Sequence, residues 1–172
     1  MSDQLLALSF LQPWLWCIEH GHKTVENRSW KPPARMLGKR FALHASAGWD
    51  RDAVPFVHGV LGALQVVMTN QPERSAIVGT ARLVGALPVR VTEMPERQVS
   101  VDGLPGCQVG DLDLRQQFEI LASPWTFGPW AWLLADVRSL SETVPCRGAL
   151  GFWKVPDEIA ELVREREVRD AA

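Results

Sequence analysis

The sequence predicts an α+β domain in which short strands form a barrel-like sheet with flanking helices. Short apolar or alternating runs typical of strands recur along the chain, and helical stretches lie between the early ones. Residues 156–168 place apolar side chains at helical spacing, which is typical of a helix that covers a core. A chain of 172 residues with 47% hydrophobic content can bury one such core. We therefore predict a single domain over residues 1–172, with its core at about 5–156 and a terminal helix at 156–168.

The first half of the chain alternates strands with helices. A buried strand over residues 5–10 is followed by a helix that starts at Pro13 and ends at Gly21, the usual positions for these two residue types. The prolines at 32 and 33 close the next extended segment. The predicted elements that follow the first helix are an extended segment at 24–30, a strand at 40–45 and a helix at 50–67 that bends at its proline.

The second half contains fewer predicted helices. A strand over residues 77–87 contains Gly79 and Gly85, which predict bulges. The polar, glycine-rich residues 92–112 predict a long loop. The remaining predicted elements are one or two helical turns at 114–121 and strands at 130–137 and 149–155.

Charge is distributed unevenly along this chain. The net charge is −2, yet between His20 and Arg51 the acidic residues are only Glu26 and Asp50. A locally basic region in a neutral protein is typical of a confined binding site, although a solvated surface has the same composition. The cations of the region are Lys23, Arg28, Lys31, Arg35, Lys39, Arg40 and Arg51.

Tryptophan is the second unusual feature, because the chain has eight tryptophans and no tyrosine. Trp14, Trp16 and Trp30 lie in or beside the basic region. Aromatic rings among cations suit single-stranded nucleic acid, whose bases stack on such rings. Most tryptophans in globular proteins nevertheless belong to the core, and we expect about three in four of these to do so.

Several classes of protein find no support in the sequence. No apolar run approaches the ~18 residues of a membrane span, and the amino terminus lacks the pattern of a signal peptide. The three cysteines are scattered without a CxxC pair, which predicts reduced thiols and a cytoplasmic location. Cys17, His20 and His22 have poor spacing for zinc, so we predict no metal site. No glycine-rich nucleotide-binding motif is present, so we predict no cofactor.

Two consecutive motifs resemble the signature of the ASCH domain family, which belongs to the PUA-like superfamily. Residues 8–14 read LSFLQPW and match its Ser-x-x-Gln-Pro-Trp helix start, and residues 21–30 read GHKTVENRSW and match its Gly-x-Lys-x-x-Glu-x-Arg-x-Trp pattern. Weaker matches follow in the right order at 43–46 (LHAS), 78–84 (VGTARLV) and 148–155 (GALGFWKV). Residues 92–121 match no part of the pattern that we recognise.

The resemblance implies a PUA-like β-barrel that binds RNA or single-stranded nucleic acid in a cationic groove, or one that recognises modified bases. Some members of the family are instead hydrolases, either ribonucleases or enzymes that act on acylated cytidine. The latter use a lysine and a threonine three residues later. Lys23 matches that lysine, but Glu26 occupies the threonine position, which removes the proposed nucleophile.

Lys23, Glu26 and Arg28 form the central candidate site. On an extended segment Glu26 and Arg28 project from one face, and the long side chain of Lys23 can reach the same place. Glu26 could accept hydrogen bonds from a base edge while the cations hold phosphate. Alternatively, Lys23 and Glu26 are catalytic, with Glu26 as a general base. The structural alternative is a surface ion pair worth at most about 1 kcal/mol.

The other predicted nucleic-acid-binding residues are weaker candidates. Gln12 could contact a base edge or cap the first helix, and the motif tryptophans could stack on bases or pack in the core. A third function, a protein-docking patch at residues 125–132, is also compatible with the sequence. Beside Lys23, Glu26 and Arg28, the predicted binding residues are Gln12, Trp14, Trp30, Arg40, His44 and Ser46.

Overall fold

A computed structural model describes residues 4–62, 72–93, 96–103 and 107–167 of the chain. The chain divides into two compact units, neither of which is continuous in sequence. Unit 1 comprises residues 1–22, 40–81 and 136–172, and unit 2 comprises residues 23–39 and 82–135. The single-domain organisation stays a prediction.

The described residues form one seven-stranded mixed sheet with helices, so the predicted α+β class is confirmed. The strand order is β2-β6-β4-β3-β1-β7, and β5 pairs with β4. The strands are β1 (Leu6–Gln12), β2 (Val25–Arg28), β3 (Arg40–Trp49), β4 (Ala76–Thr92), β5 (Gln98–Val101), β6 (Trp130–Pro145) and β7 (Phe152–Lys154). The helices are α1 (Trp14–Glu19), a 3₁₀ turn (Ala34–Met36), α2 (Ala53–Leu61), α3 (Leu114–Ala122) and α4 (Asp157–Arg166).

Unit 1 is built around β1, which lies between two partners. It pairs in parallel with β3, where Ser9 lies opposite His44, and antiparallel with β7, where Ala7 lies opposite Trp153. The spacing of α4 predicts Ile159, Leu162 and Val163 on its inward face; the helix buries Val163 and Ala160, while Ile159 and Leu162 are partly buried against the same core. The core of this unit consists of Ala7, Ala42, Ile77, Leu140, Val144, Val155, Ala160 and Val163.

Unit 2 contains β2, which pairs antiparallel with the first residues of β6 and places Glu26 opposite Trp132. The helix α3 starts at a capping box, in which the Asp113 side chain accepts from the Gln116 backbone N–H and the Gln116 side chain accepts from Asp113. The core of this unit includes Val25, Leu83, Leu87, Ile120, Trp125, Trp132 and Leu133.

Several predicted boundaries were wrong, and the strand predicted at 40–45 continues to Trp49. The strand predicted at 77–87 continues to Thr92, and β5 pairs with that extension inside the predicted 92–112 loop. β6 continues to Pro145, whereas the last strand is only Phe152–Lys154. Such extensions depend on pairing partners that are distant in sequence. The helix predicted at 50–67 is α2, which begins at Ala53 and ends at Leu61 with Gly62 as its C-cap, and residues 63–67 lie outside the described ones.

Gly79 allows a close backbone approach in unit 1. A Cβ at this position would lie 2.5 Å from the Arg138 carbonyl oxygen of β6. Glycine is therefore required here by the spacing between two strands. In residues 4–62, 72–93, 96–103 and 107–167, no helix combines the length and apolar character that crossing a bilayer requires.

Candidate functional site

Lys23, Glu26 and Arg28 form an ionic cluster in unit 2. Lys23 Nζ lies 2.7 Å from Glu26 Oε2, and Arg28 Nε lies 3.0 Å from Glu26 Oε1. Pairing of β2 with β6 encloses this cluster, so the exposed fractions of the three side chains are only 1%, 10% and 19%. The ion pair considered in the sequence analysis therefore exists, but it is largely buried.

In the ionic cluster, both oxygens of the Glu26 carboxylate are engaged in ion pairs. Each oxygen of Glu26 faces one cation, and a buried charge is stable only when it is paired in this way. A general base needs an oxygen that can reach the substrate proton, whereas both oxygens of Glu26 are engaged by cations. The cluster is consequently suited to holding β2 in place, with Arg28 as its most exposed member.

The end of β2 and the residues after it are anchored through the side chains of Asn27 and Trp30. The Asn27 side chain donates to the Trp125 carbonyl and accepts from the backbone N–H groups of Phe127 and Gly128, with distances of 2.7 to 3.2 Å. Trp30 packs edge-on against buried Trp132, with ring centroids 4.7 Å apart. Trp30 is half-buried, so only part of its surface is open to a base.

Residues 28–39, called here the basic segment, carry four cations and no acidic residue. Lys31, Arg35 and Lys39 are exposed. Lys31 Nζ lies 5.7 Å from the centroid of the half-buried Trp130 ring, which is cation–π geometry. The basic segment therefore combines exposed cations with an aromatic ring inside unit 2.

Unit 1 contains a second arrangement, called here the polar network, around His44. The parallel register of β1 and β3 places Ser9 beside His44, and Ser9 Oγ lies 3.1 Å from His44 Nδ1. His44 Nε2 lies 3.1 Å from the Cys146 carbonyl oxygen. Ser9 Oγ is also 3.1 Å from the Ala149 carbonyl oxygen. Trp153 Nε1 donates to Ser9 Oγ at 3.1 Å.

The hydrogen bonds of the polar network fix the tautomer of a neutral His44. A carbonyl oxygen only accepts, so Nε2 carries the proton and Nδ1 is an acceptor. Burial lowers the pKa of the His44 imidazole, while its hydrogen bond to the Cys146 carbonyl opposes that shift. When the His44 ring is neutral, the Ser9 hydroxyl donates its one proton either to His44 Nδ1 or to the Ala149 carbonyl oxygen.

A pocket of about 390 Å³ adjoins the polar network. Arg147 supplies an exposed cation, and the Ser46 hydroxyl oxygen is buried without a hydrogen-bond partner among the described residues. The pocket is large enough for a small ligand. Its lining consists of Ser9, His44, Ser46, Ala47, Ser75, Arg147, Gly148, Ala149 and Leu150.

Three other predicted binding residues, all in unit 1, have internal partners. The buried Gln12 side chain accepts from the Trp16 N–H at 2.9 Å and donates to the Glu73 carbonyl, so it caps α1 as the structural alternative predicts. Trp14 Nε1 donates to Asp50 at 2.9 Å. Arg40 donates a hydrogen bond to the Thr80 hydroxyl and forms ion pairs with Asp136 and Glu167.

The structure thus brings the predicted site residues together in two sets. Lys23, Glu26 and Arg28 meet in unit 2, and His44 and Ser46 line one pocket in unit 1. Sequence reasoning missed Ser9 and Arg147 as candidates, although Ser9 belongs to the first ASCH-like motif. Within the parts of the chain that the structure describes, no group of three or more potential metal ligands occurs.

The whole chain is similar in structure to two crystal structures of ASCH from Zymomonas mobilis, one of the protein and one of a point mutant. Each match has a TM-score of 0.46 and 13% sequence identity, and covers 96% of this chain. The matches cover 97% and 100% of those chains. No family model matches this chain, and no curated protein matches it. Both matches are to structures of the family that the motifs resemble, and at this identity the likeness concerns the fold alone.

Proposed function

We propose that the chain binds RNA or single-stranded nucleic acid through the basic segment of unit 2. The observation that carries this proposal is the exposed Lys31 above the Trp130 ring, in a segment with four cations and no acidic residue. Phosphates are attracted by such cations, and an unstacked base can pack against an aromatic ring. The net charge of −2 makes this a local feature of the surface.

Within the basic segment, the cations do not contribute equally. Arg28 shares its charge with Glu26, so its attraction for phosphate is reduced. Lys31 and Arg35 are exposed, and we expect them to supply most of the phosphate contacts. Binding of this kind is electrostatic and tolerates different sequences, and a preference for modified bases would need contacts to base edges.

The ionic cluster supports this surface from inside. Glu26 on β2 pairs with Lys23, which precedes the strand, and with Arg28, the first residue of the basic segment. The alternative of a hydrolase with Lys23 and Glu26 in its active site is not favoured, because each side chain neutralises the other and both are nearly inaccessible. Lys23 and Glu26 are therefore proposed as structural supports of the binding surface.

The proposal is tested by fluorescence anisotropy with a labelled single-stranded oligouridylate across a range of salt concentrations. Lys31→Ala and Arg35→Ala should each weaken binding at low salt. Each should also reduce the slope of log K against log salt by about 0.7, the value expected for one lost phosphate contact on a single strand. A duplex of equal length should bind more weakly, because its bases are not available for stacking.

Arg164→Ala is the matched control, because Arg164 is an exposed arginine on α4 in unit 1. It should bind the oligouridylate with the affinity and salt slope of the unaltered protein. The proposal is wrong if Lys31→Ala and Arg35→Ala behave like Arg164→Ala, or if the unaltered protein does not bind at low salt.

A further inference from the structure

The polar network of unit 1 has the geometry of an activated nucleophile. Nucleophilic catalysis needs a hydroxyl within hydrogen-bond reach of a base, and a third group that orients the base. Ser9 Oγ lies 3.1 Å from His44 Nδ1, and the Cys146 carbonyl lies 3.1 Å from the opposite ring nitrogen. Register between neighbouring strands fixes Ser9 and His44, so the pair is held on rigid elements.

The surroundings of Ser9 provide the other requirements of a reaction site. Ser9 and His44 both line the pocket of about 390 Å³, and Arg147 lines it with an exposed guanidinium. The Trp153 indole N–H donates to Ser9 Oγ and would stabilise negative charge that develops there. Burial lowers the pKa of His44, which keeps the ring neutral and able to accept a proton.

We propose that this pocket is a hydrolytic site for small acyl esters that carry an anionic group, with Ser9 as nucleophile and His44 as general base. Arg147 binds the anionic group of the ester, because a guanidinium pairs well with a carboxylate or phosphate. This activity is separate from the proposed nucleic-acid binding, which uses residues of unit 2. It assigns to His44 a role other than the nucleic-acid contact that the sequence predicts.

The reaction would proceed in two balanced steps. Ser9 Oγ attacks the ester carbonyl carbon, and the Ser9 hydroxyl proton passes to His44 Nδ1. The bond between the carbonyl carbon and the alcohol oxygen then breaks, the alcohol leaves with the proton from Nδ1, and the acyl group stays bonded to Ser9 Oγ. Water attacks the acyl–Ser9 ester, and its proton passes through Nδ1 to Ser9 Oγ as the acid departs. The net change is one ester and one water converted to one acid and one alcohol.

Gly148 controls the space above this pair. A Cβ at residue 148 would collide with the His44 ring and lie 2.7 Å from Ser9 Oγ. Only glycine lets the backbone pass so close to the proposed nucleophile. The loop from Cys146 to Ala149 therefore supplies both the carbonyl that orients His44 and one wall of the pocket.

The test uses the full chain with two chromogenic esters, 4-nitrophenyl acetate and the mono-4-nitrophenyl ester of succinic acid, together with a fluorophosphonate probe. After subtraction of the spontaneous rate, which is high for the succinate because its own carboxylate attacks the ester, the rate of nitrophenolate release should be greater with the anionic ester. Ser9→Ala should lower kcat/KM at least about 100-fold. Arg147→Ala should raise KM roughly tenfold for the anionic ester only, as expected for one lost charged contact.

Ser141→Ala is the matched control, because Ser141 is exposed on β6 and lies outside the pocket. It should react like the unaltered protein. Mass mapping of the fluorophosphonate adduct in the unaltered protein decides the matter even if Ser9→Ala fails to fold, since the label should sit on Ser9. A label on another residue, unaltered turnover by a folded Ser9→Ala protein, or neither turnover nor labelling would each overturn the proposal.

Discussion

The ionic cluster of unit 2 and the polar network of unit 1 are both largely buried, yet they use polar groups differently. In the ionic cluster, each oxygen of Glu26 is occupied by a cation. In the polar network, the single hydroxyl proton of Ser9 has two acceptors, His44 Nδ1 and the Ala149 carbonyl. The difference teaches that the charged motif residues pair with one another inside the protein, whereas the neutral residues Ser9 and His44 line a pocket.

The physical reason is the free energy of desolvation. A buried ion must be paired with an opposite charge. Replacing that partner by a ligand is unfavourable, because it would leave a buried charge without a partner. A buried hydroxyl or neutral imidazole is desolvated at much lower cost, and its hydrogen bonds can be rearranged. The polar network can therefore change its bonding without leaving an uncompensated charge.

The largest effect is expected from Glu26→Gln, which tests whether the ionic cluster is a structural support. Removing the carboxylate charge breaks the ion pairs of Glu26 with buried Lys23 and with Arg28, and breaking a buried pair by removing one partner costs about 3–5 kcal/mol in the free energy of unfolding. Urea denaturation measures this loss directly.

Two comparisons sharpen that result. Glu119→Gln changes an exposed carboxylate that accepts from the exposed Thr24 hydroxyl, and should alter stability by less than about 0.5 kcal/mol. The double variant Lys23→Met/Glu26→Met should recover most of the loss, because an apolar pair can replace buried ions at little cost. A Glu26→Gln protein as stable as Glu119→Gln would show that the cluster contributes nothing.

A smaller loss is expected from Gly148→Ala, which tests how tightly the polar network is enclosed. The new methyl group would meet the His44 ring, and overpacking of this kind costs about 1–3 kcal/mol. The matched control is Gly59→Ala in α2, where, apart from its own helix backbone, no atom of the described residues lies within 4 Å of the new Cβ. That change should stabilise the protein by about 0.5–1 kcal/mol. Equal stability of the two variants would contradict the close contact at Gly148.

The smallest effect should be the pH dependence contributed by His44. Because burial lowers its pKa in the folded protein, the unfolded chain binds more protons at this residue just below pH ~6.5. Its contribution to stability is therefore complete above that pH and is lost as the pH falls through the window down to the folded pKa. The check is urea denaturation of the unaltered protein and His44→Gln at several values between pH ~5 and ~7.5. Parallel stability profiles of the two proteins would contradict this prediction.

The sequence predicted which side chains meet within one segment of the chain, but it did not predict how deeply those side chains are buried. Glu26 and Arg28 do meet, as the two-residue period of a strand requires. The enclosure of Glu26 depends on Trp132, its partner on β6, which lies 106 residues away and has no local signature. The same limit explains why Ser9 was missed, since its partners Ala149 and Trp153 are 140 and 144 residues away.

The tryptophans show how composition alone misleads. Five of the eight, among them Trp30 and Trp130, are half-buried, and the fully buried ones are Trp16, Trp125 and Trp132. The expectation that three in four lie in the core was therefore too high. An indole can bury part of its surface while its N–H reaches a polar partner, as Trp14 at the start of α1 does toward Asp50, so hydrophobicity alone does not determine its position.

The contact between Trp153 and His44 gives the molecule an internal optical reporter. The two rings meet edge-on with centroids 5.4 Å apart. A positively charged imidazolium quenches indole emission at such range, whereas the neutral ring does so far less. The difference in fluorescence between the unaltered protein and Trp153→Phe would therefore follow the charge of His44 without any added dye, and would reveal an occupant of the neighbouring pocket as it arrives.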